Sequence, residues 1–278
     1  GPNGYQLGGF PAAFVEWNDR YRDCVRRFWR GERGQVGELA TRLSGSSDVF
    51  APQLRTPQAT LNFITAHDGL TLADFTNNDR VARGMLATLA FSLGVPMLQQ
   101  GDEMGRSQGG DQNAYAQDNA TSWVRCVLDA REQALLEHTR RCFGLRRELP
   151  VFRRTKHFVG QSAESGDMPD VTWLRPDGGV MQARDFEDPE CKVLAVWMCG
   201  HNENGTCDAT QPSVLLLLNA SDAEQRFTLP VAADGRGFRV LLDTAPAIAA
   251  NRAPDASVVL AAHGMCLLQA VLEGDVSP

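Results

Sequence analysis

The sequence of 278 residues lacks a long hydrophobic run. Its apolar stretches, such as residues 214–218, are far too short to span a bilayer, so we expect no membrane partner. No signal peptide opens the chain, which begins at Gly1 without a Met, and we expect a cytoplasmic protein. Positive charge is also scarce: a net charge of −7 argues against binding to nucleic acid or an anionic membrane.

The chain lacks the cysteine patterns of metal and redox sites. Seven cysteines are present, but none forms a Cys-x-x-Cys pair or a Cys/His spacing typical of zinc. We therefore expect reduced, mostly buried thiols, no metal and no cofactor. Internal repeats are absent too, and the length allows one large domain or two of ordinary size.

The most informative stretch is an apolar, β-branched run over residues 61–66 that ends abruptly in His67 and Asp68. This pattern predicts a buried strand with two polar side chains at its carboxyl end. A helical pattern follows over residues 80–93, and then a second short strand over residues 95–99.

The second strand also ends in acidic residues, Asp102 and Glu103. Strand, helix and strand with polar groups at the strand ends are typical of an α/β barrel or an open parallel sheet. In both folds, the ligand-binding and catalytic residues lie at the C-terminal edge of the sheet. The following polar loop, residues 105–119, is long enough to be functional.

Other helices are predicted before and after this unit, over residues 21–30, 35–43 and 133–147, and a short strand over residues 14–19. The first helix carries a basic face that we expect to be solvated, formed by Arg22, Arg26, Arg27 and Arg30. We expect the same of the arginines on the last helix, Arg140, Arg141, Arg146 and Arg147.

From about residue 151 the pattern changes to short apolar or alternating runs separated by Gly, Pro, Asn and Asp. Seven strands are predicted, over residues 171–174, 193–198, 214–219, 225–229, 238–242, 257–260 and 265–271. This spacing is typical of an all-β sandwich. We therefore divide the chain into an α/β domain, residues 1–150, and a β-sandwich domain, residues 151–278.

The residues alone leave several interpretations of the acidic rim open. Asp68 can cap the next helix, or it can pair with Glu103 as acid and nucleophile on a glycosidic bond. Alternatively, hard oxygen ligands from this rim can bind Ca²⁺ or Mg²⁺, although the ligand spacing is irregular; the candidates are Asp68, Asp102, Glu103, Asp111 and Asp118.

Aromatic residues lie in or beside the predicted loops near this rim, namely Phe10, Trp17, Tyr115 and Trp123. Aromatic faces stack on sugar rings by covering the apolar C–H surface of the ring. Ordinary loop packing explains each of them equally well when it is considered alone.

Several ordered blocks resemble the bacterial glycogen debranching enzymes and isoamylases, which are α-amylase-type glycoside hydrolases. The clearest are Glu16-Trp17-Asn18-Asp19-Arg20-Tyr21-Arg22-Asp23, Asn62-Phe63-Ile64-Thr65-Ala66-His67-Asp68-Gly69, Gly101-Asp102-Glu103 and Asn113-Ala114-Tyr115-Ala116-Gln117-Asp118-Asn119, with further matches at residues 4–8, 27–31, 46–50, 94–98 and 170–174. The resemblance covers nearly the whole chain.

This resemblance implies the C-terminal part of a TIM-type (β/α)₈ barrel followed by an all-β sandwich domain. It also implies hydrolysis of α-1,6 branch linkages in glycogen or limit dextrin. Asp68 is then the third catalytic carboxylate, which stabilises the transition state, rather than a partner of Glu103. The implied substrate-binding residues are His67, Tyr5, Trp17, Asp102, Glu103, Asn113, Tyr115 and Asp118, and the implied partner is an α-glucan.

The chain departs from the family pattern in two ways. The nucleophile and general acid of the family lie on earlier strands, so we expect one of the three carboxylates here. The family also has several dozen polar residues after the His-Asp-Gly strand, where this chain runs from Asp74 almost directly to Asp79. Two other functions stay open: a non-catalytic glucan-binding or structural fragment, and another α-glucan hydrolase or transferase.

Overall fold

The computed structural model describes residues 5–76, 78–160, 169–201, 207–208, 210–230, 237–245 and 256–271. Gly4, which opens the first block of the family resemblance, lies outside these ranges. Helices and three parallel strands occupy the first half of the chain, and antiparallel strands occupy the second. This order agrees with the change of pattern seen in the sequence near residue 150.

Three short strands form the parallel sheet: β1 (Glu16–Asn18), β2 (Thr60–Asn62) and β3 (Val95–Pro96), in the order β1-β2-β3. Leu61 lies opposite Trp17 on one side and Val95 on the other. The predicted parallel sheet is confirmed, but β2 and β3 end earlier than predicted. The three strands form an open sheet, and they do not by themselves establish a closed barrel.

Helices connect and flank these strands. They are α1 (Asp19–Trp29), α2 (Val36–Leu43), α3 (Ser47–Phe50), α4 (Leu72–Thr76), α5 (Asp79–Phe91), α6 (Ala130–Glu148) and α7 (Ala183–Glu187). Asn18 caps α1 by accepting a hydrogen bond from the Tyr21 amide at 2.9 Å, so β1 leads directly into the helix. In the described parts of the chain, no helix combines the length and apolar character needed to cross a membrane.

Arg146 on α6 is buried, so the expectation that it is solvated is wrong. Its guanidinium donates hydrogen bonds to the carbonyl oxygens of Ala90 and Ser92, both at 2.7 Å, and of Gly94 at 2.6 Å. Ala90 lies in the last turn of α5, where the end of a helix leaves carbonyls without partners, and Ser92 and Gly94 follow that turn. A cation at the negative end of the helix dipole also stabilises α5.

The second half contains β4 (Val171–Leu174), β5 (Val193–Met198), β6 (Val214–Asn219), β7 (Gln225–Thr228), β8 (Gly237–Asp243), β9 (Ser257–Leu260) and β10 (Gly264–Val271). Five strands form an antiparallel sheet in the order β4-β5-β6-β10-β8, and β7 pairs with β9 in a second sheet. The predicted all-β part is confirmed, and all seven predicted strands are present.

Both faces of the five-stranded sheet are buried. Side chains such as Val196 and Leu216 belong to a core that also contains Met85 and Phe91 of α5, whereas their neighbours Leu215 and Leu217 face β7 and β9. This explains why β6 is apolar along most of its length instead of alternating. The helical and β-rich parts therefore share one hydrophobic core, and the domain boundary near residue 150 stays a prediction.

Candidate functional site

The chain that leaves β2 places two polar side chains at the carboxyl end of the parallel sheet. Residues 63–66 are buried after the last paired residue, and His67 and Asp68 are then exposed. Gly69 follows with a φ of +84°, a conformation that glycine adopts without strain. The reversal at Gly69 leaves His67 and Asp68 at the surface, as the sequence predicted.

An aromatic and a cationic side chain border this pair. The ring centroid of Trp17 lies 6.1 Å from that of His67 and 5.4 Å from that of Phe63. The Arg22 guanidinium lies 5.6 Å from the centre of the Phe63 ring. Its pKa is raised above the usual range, chiefly by a hydrogen bond to Asp23 and to a smaller extent by the negative charge of Asp68.

Tyr5 joins the same group through the backbone of β1, because its hydroxyl donates a 2.8 Å hydrogen bond to the Trp17 carbonyl. Trp17 is 42% exposed although it lies in the middle of a strand. The two side chains line an open, mainly apolar cleft of about 320 Å³ whose walls are Tyr5, Phe10, Phe14, Val15, Glu16 and Trp17. The structure thus brings Tyr5, Trp17 and His67 into one continuous surface beside Asp68.

Asp102 lies beneath this surface rather than on it. Only 1% of the residue is exposed, and its carboxylate accepts hydrogen bonds from the Thr65 hydroxyl and from the Leu72 amide, the latter at 2.9 Å. Burial raises the pKa of Asp102 to about 6. The carboxylate therefore links the segment before His67 to the start of α4, and in this structure it is not open to a ligand.

Glu103 is half-buried on the short 3₁₀ helix Asp102–Met104. Its carboxylate accepts a 2.8 Å hydrogen bond from the Gly101 amide, within its own turn. Asp102 and Glu103 thus hold two different backbone segments. This arrangement offers no support for pairing Glu103 with Asp68 as acid and nucleophile.

The long loop carries the remaining predicted site residues, and all three are exposed. The Asn113 side chain accepts from the Tyr115 amide at 3.2 Å, and Asp118 accepts from the Trp123 indole at 2.9 Å. Tyr115 is 87% exposed. The loop meets the strand exit where the Gly69 amide donates to the Gln112 carbonyl at 2.8 Å, so these side chains border the site without being held against Asp68.

Sequence reasoning missed Asp74, which fastens this loop to α4. Its carboxylate accepts hydrogen bonds from the hydroxyls of Ser107 and Thr71 and from the Gln108 amide at 2.8 Å. Burial opposes ionisation, but these hydrogen bonds hold the pKa of Asp74 below its usual value. The signal was present in Thr71-Leu72-Ala73-Asp74, which has the spacing of a helix capping box.

The expectation that the basic face of α1 is solvated is wrong in part, because Arg27 and Arg30 are exposed whereas Arg22 and Arg26 are half-buried. The guanidinium groups of Arg26 and Arg30 lie 4.7 and 4.1 Å from the centre of the Phe75 ring. Burial, aided by the neighbouring Arg22 and Arg30, lowers the pKa of Arg26 to about 10. These cation–π contacts attach α4, and with it the edge of the site, to α1.

The metal alternative lacks a geometric basis within the described ranges, where no group of three His, Cys, Asp or Glu side chains converges as a metal site requires. Asp111 instead accepts hydrogen bonds from the Asn113 amide and the Gln117 side chain, both at 2.8 Å. Asp102 is occupied as described above. Asp102, Glu103 and Asp111 therefore hold turns and loops of this rim.

Comparison with known proteins identifies relatives over most of the chain. Residues 170–263 match the family model "Isoamylase, C-terminal". The glycogen operon protein GlgX homolog of Mycobacterium tuberculosis (strain ATCC 25618 / H37Rv) is 37% identical over 275 residues, covering 83% of this chain and 38% of the relative. The glycogen debranching enzyme of Dickeya chrysanthemi is 37% identical over 272 residues, covering 82% and 38%.

Solved structures share the fold at lower identity. The pullulanase from Bacillus acidopullulyticus superimposes with a TM-score of 0.70 at 19% identity, covering 92% of this chain and 30% of that one. Pullulanase type I from Bacillus subtilis str. 168, solved with maltose, gives a TM-score of 0.67 at 19% identity, covering 92% and 35%. The chain spans about two fifths of the length of the curated relatives that it matches. The match to the family model and the identity to curated relatives together show that the chain belongs to the family of bacterial glycogen debranching enzymes and isoamylases, of which it represents a C-terminal portion.

Proposed function

We propose that this chain is part of a cytoplasmic glycoside hydrolase of the α-amylase type, which cleaves α-1,6 branch linkages in glycogen or limit dextrin. The observation that carries the proposal is the exposed pair His67 and Asp68 at the carboxyl end of β2, beside the ring of Trp17. This is the edge at which parallel α/β folds bind and transform their ligands.

In this proposal, the three parallel strands belong to a (β/α)₈ barrel, and the strands after residue 151 form its C-terminal β-sandwich domain. The likeness of 92% of the chain to pullulanase folds supports this arrangement. The alignment with the glycogen operon protein GlgX homolog extends over 275 residues and covers 83% of this chain, so that relative carries additional residues within the matched span.

Asp68 acts as the third carboxylate of the family. Its exposed carboxylate accepts hydrogen bonds from hydroxyl groups of the distorted sugar ring, and its negative charge stabilises the oxocarbenium-like transition state. His67 donates a further hydrogen bond to the same ring. The edge of Trp17 and the charge of Arg22 hold the two side chains in place, since they border them on the side of α1.

The aromatic cleft beside Asp68 provides surface for the glucan chain, with Tyr5 and Trp17 stacking on sugar rings. Asn113, Tyr115 and Asp118 approach the substrate from the long loop, where they are exposed. Asp102 and Glu103 act indirectly, since their carboxylates hold the backbone on which the site depends.

The test is the substitution Asp68→Asn in the complete enzyme, assayed by the release of reducing ends from glycogen limit dextrin. Loss of an interaction made in the transition state should lower kcat by at least tenfold, which corresponds to about 1.4 kcal/mol. Asp177→Asn makes the same chemical change at an exposed position in the β-rich part and should leave kcat unchanged. Equal activity of the two variants would refute the assignment.

The substrate is tested separately with wild-type enzyme on an α-1,6-branched dextrin and on a linear α-1,4 glucan. We expect reducing ends from the branched substrate only. Turnover of the linear glucan at a comparable rate would favour another α-glucan hydrolase or transferase. Binding without turnover of either substrate would favour the non-catalytic alternative.

A further inference from the structure

The long loop, residues 105–119, is joined to α4 by one carboxylate. Asp74 lies within α4, and its Oδ2 accepts hydrogen bonds from the Gln108 amide at 2.8 Å and from the Thr71 hydroxyl at 2.9 Å. Its Oδ1 accepts from the Ser107 hydroxyl. Both carboxylate oxygens are therefore used, and two of these three donors belong to the loop.

Beyond Ser107 the loop is braced by its own hydrogen bonds. The Gln108 side chain donates to the Asp111 carbonyl at 2.9 Å. The Gln117 side chain donates to the Asp111 carboxylate at 2.8 Å and to the Asn113 carbonyl at 3.0 Å. Residues 108–117 are thus joined into one unit, so a contact at its start fixes the position of the whole unit.

The base to which the loop is attached is itself fixed. Phe75, next to Asp74, lies against the guanidinium groups of two arginines on α1. A second attachment lies at Gly69, directly after Asp68, whose amide donates to the Gln112 carbonyl at 2.8 Å. The loop is therefore held at two points, one on α4 and one beside the exposed carboxylate of Asp68.

The attachment on α4 carries a charge. Burial opposes the ionisation of Asp74, but its hydrogen bonds hold its pKa below the usual value, so the carboxylate is ionised at neutral pH. Hydrogen bonds to a charged acceptor are stronger than those between neutral groups. Without them, a ligand that contacts the loop would have to order it on binding, which costs conformational entropy.

We propose that Asp74 is a positioning residue for the glucan, because it holds the long loop where Asn113, Tyr115 and Asp118 meet the sugar chain beside Asp68. The inference rests on the proposed function, which places these three side chains against the substrate. Asp74 acts through the loop, so its loss should weaken substrate binding and leave the chemical step at Asp68 intact.

The experiment compares Asp74→Ala with wild type in the complete enzyme, using glycogen limit dextrin as substrate. We expect KM to rise about tenfold while kcat stays within about twofold of wild type. Retardation in native gels that contain limit dextrin should weaken by a similar factor, which shows that KM reports binding. Asp74→Asn keeps an oxygen that can accept from the Gln108 amide, so its KM should lie between those of Asp74→Ala and wild type.

Asp208→Ala is the matched control. The Asp208 carboxylate also accepts from a backbone amide and a hydroxyl, both of Thr210, at 2.9 and 2.7 Å, but it lies in the β-rich part. This variant should leave KM unchanged. Ser107→Ala removes the partner of Asp74 on the loop, and it should raise KM in the wild type but have a smaller effect in Asp74→Ala, because the two residues share one contact.

Limited digestion with trypsin measures the attachment without enzyme activity. The bond after Arg106 directly precedes Ser107, and we expect faster cleavage there in Asp74→Ala and in Ser107→Ala than in wild type. Cleavage after Arg125, which lies beyond the loop, provides the reference rate within the same sample.

The proposal is overturned if both variants keep the wild-type KM, or if kcat falls while KM does not change. It is also overturned if both variants are cleaved after Arg106 at the wild-type rate. In each of these cases the wild-type enzyme is still active, so the proposed function stands. A wild-type enzyme that neither binds nor hydrolyses limit dextrin would instead refute the proposed function, and the role of Asp74 with it.

Discussion

The buried carboxyl of Asp102 should make the stability of this fold depend on pH in a way that one substitution removes. Its pKa rises from an ordinary 3.8 to about 6, because burial disfavours the charged form more than the hydrogen bonds from Thr65 and Leu72 favour it. A difference of about two pKa units corresponds to about 3 kcal/mol of free energy.

The sign follows from which state binds the proton more tightly. Between pH 4 and pH 6, Asp102 is protonated in the folded protein and ionised in the unfolded chain. Its stabilising contribution is therefore fully present below pH 4 and is lost as the pH rises through 6. The side-chain amide introduced by Asp102→Asn cannot ionise, and its oxygen can still accept from the Leu72 amide.

The buried His138 opposes this trend within the same range. Burial lowers its pKa from 6.5 to about 4. Its contribution to the unfolding free energy is therefore fully present above pH 6.5 and is lost as the pH falls from there through 4. In the unfolding free energy of the wild-type protein alone, the opposite pH dependences of Asp102 and His138 therefore offset each other. The quantity to measure is the difference in unfolding free energy between Asp102→Asn and the wild type.

We expect the unfolding free energy of Asp102→Asn to rise relative to that of the wild type by about 3 kcal/mol between pH 4 and pH 8, with most of the change below pH 7. Urea unfolding followed by circular dichroism at each pH unit measures it, with both proteins in the same buffers. A difference that stays constant over this range would mean that the pKa of Asp102 is not raised. A change of the opposite sign would mean that the hydrogen bonds outweigh burial.

Three further predictions concern stability and cofactors. His138→Gln should remove the pH dependence that His138 causes, so the unfolding free energy of this variant should rise relative to that of the wild type as the pH falls from 7 to 4. Urea unfolding measures this difference in free energy, and a difference that does not change with pH contradicts the prediction. Arg55→Met should lower the unfolding free energy by about 3–5 kcal/mol, because it leaves Glu16 buried without its ion partner. Arg33→Met breaks the exposed pair with Glu190 and should lower it by less than about 1 kcal/mol. Similar shifts of the urea midpoint in the two variants would refute this contrast. The proposed hydrolase activity of the complete enzyme should survive treatment with a chelator, because carboxylate-driven glycoside hydrolysis needs no Lewis acid. A loss of activity that Ca²⁺ restores would reopen the metal hypothesis.

Local patterns in the sequence determined much of the secondary structure. Period-two and apolar runs placed β4, β5, β6 and β9 at the bounds observed, since strand pairing depends on the same alternation that the pattern records. The abrupt change from residues 61–66 to His67 and Asp68 also predicted the two exposed polar residues that follow β2. Both results follow from the polarity and the backbone preferences of residues that are neighbours along the chain.

The sequence could not determine where the strands β2 and β3 end. Residues 63–66 have strand-forming side chains and are buried, yet ladder pairing stops at Asn62. Strand length depends on the hydrogen-bonding partner, which comes from a distant part of the chain. For the same reason, the apolar character of β6 became intelligible only when the helices were seen to cover one face of its sheet.

Side-chain roles were decided by tertiary structure. The sequence predicted a solvated Arg146 and a substrate-binding Asp102, and it gave Asp74 no role. Each of them is instead held by backbone groups or side chains that lie 30 or more residues away, such as Ala90, Leu72 and Gln108. A charge is buried only where such partners offset the cost of desolvation. The sequence by itself thus determined which residues reach the carboxyl end of the sheet, and the tertiary structure decided which of them are exposed and which are buried and hold the backbone.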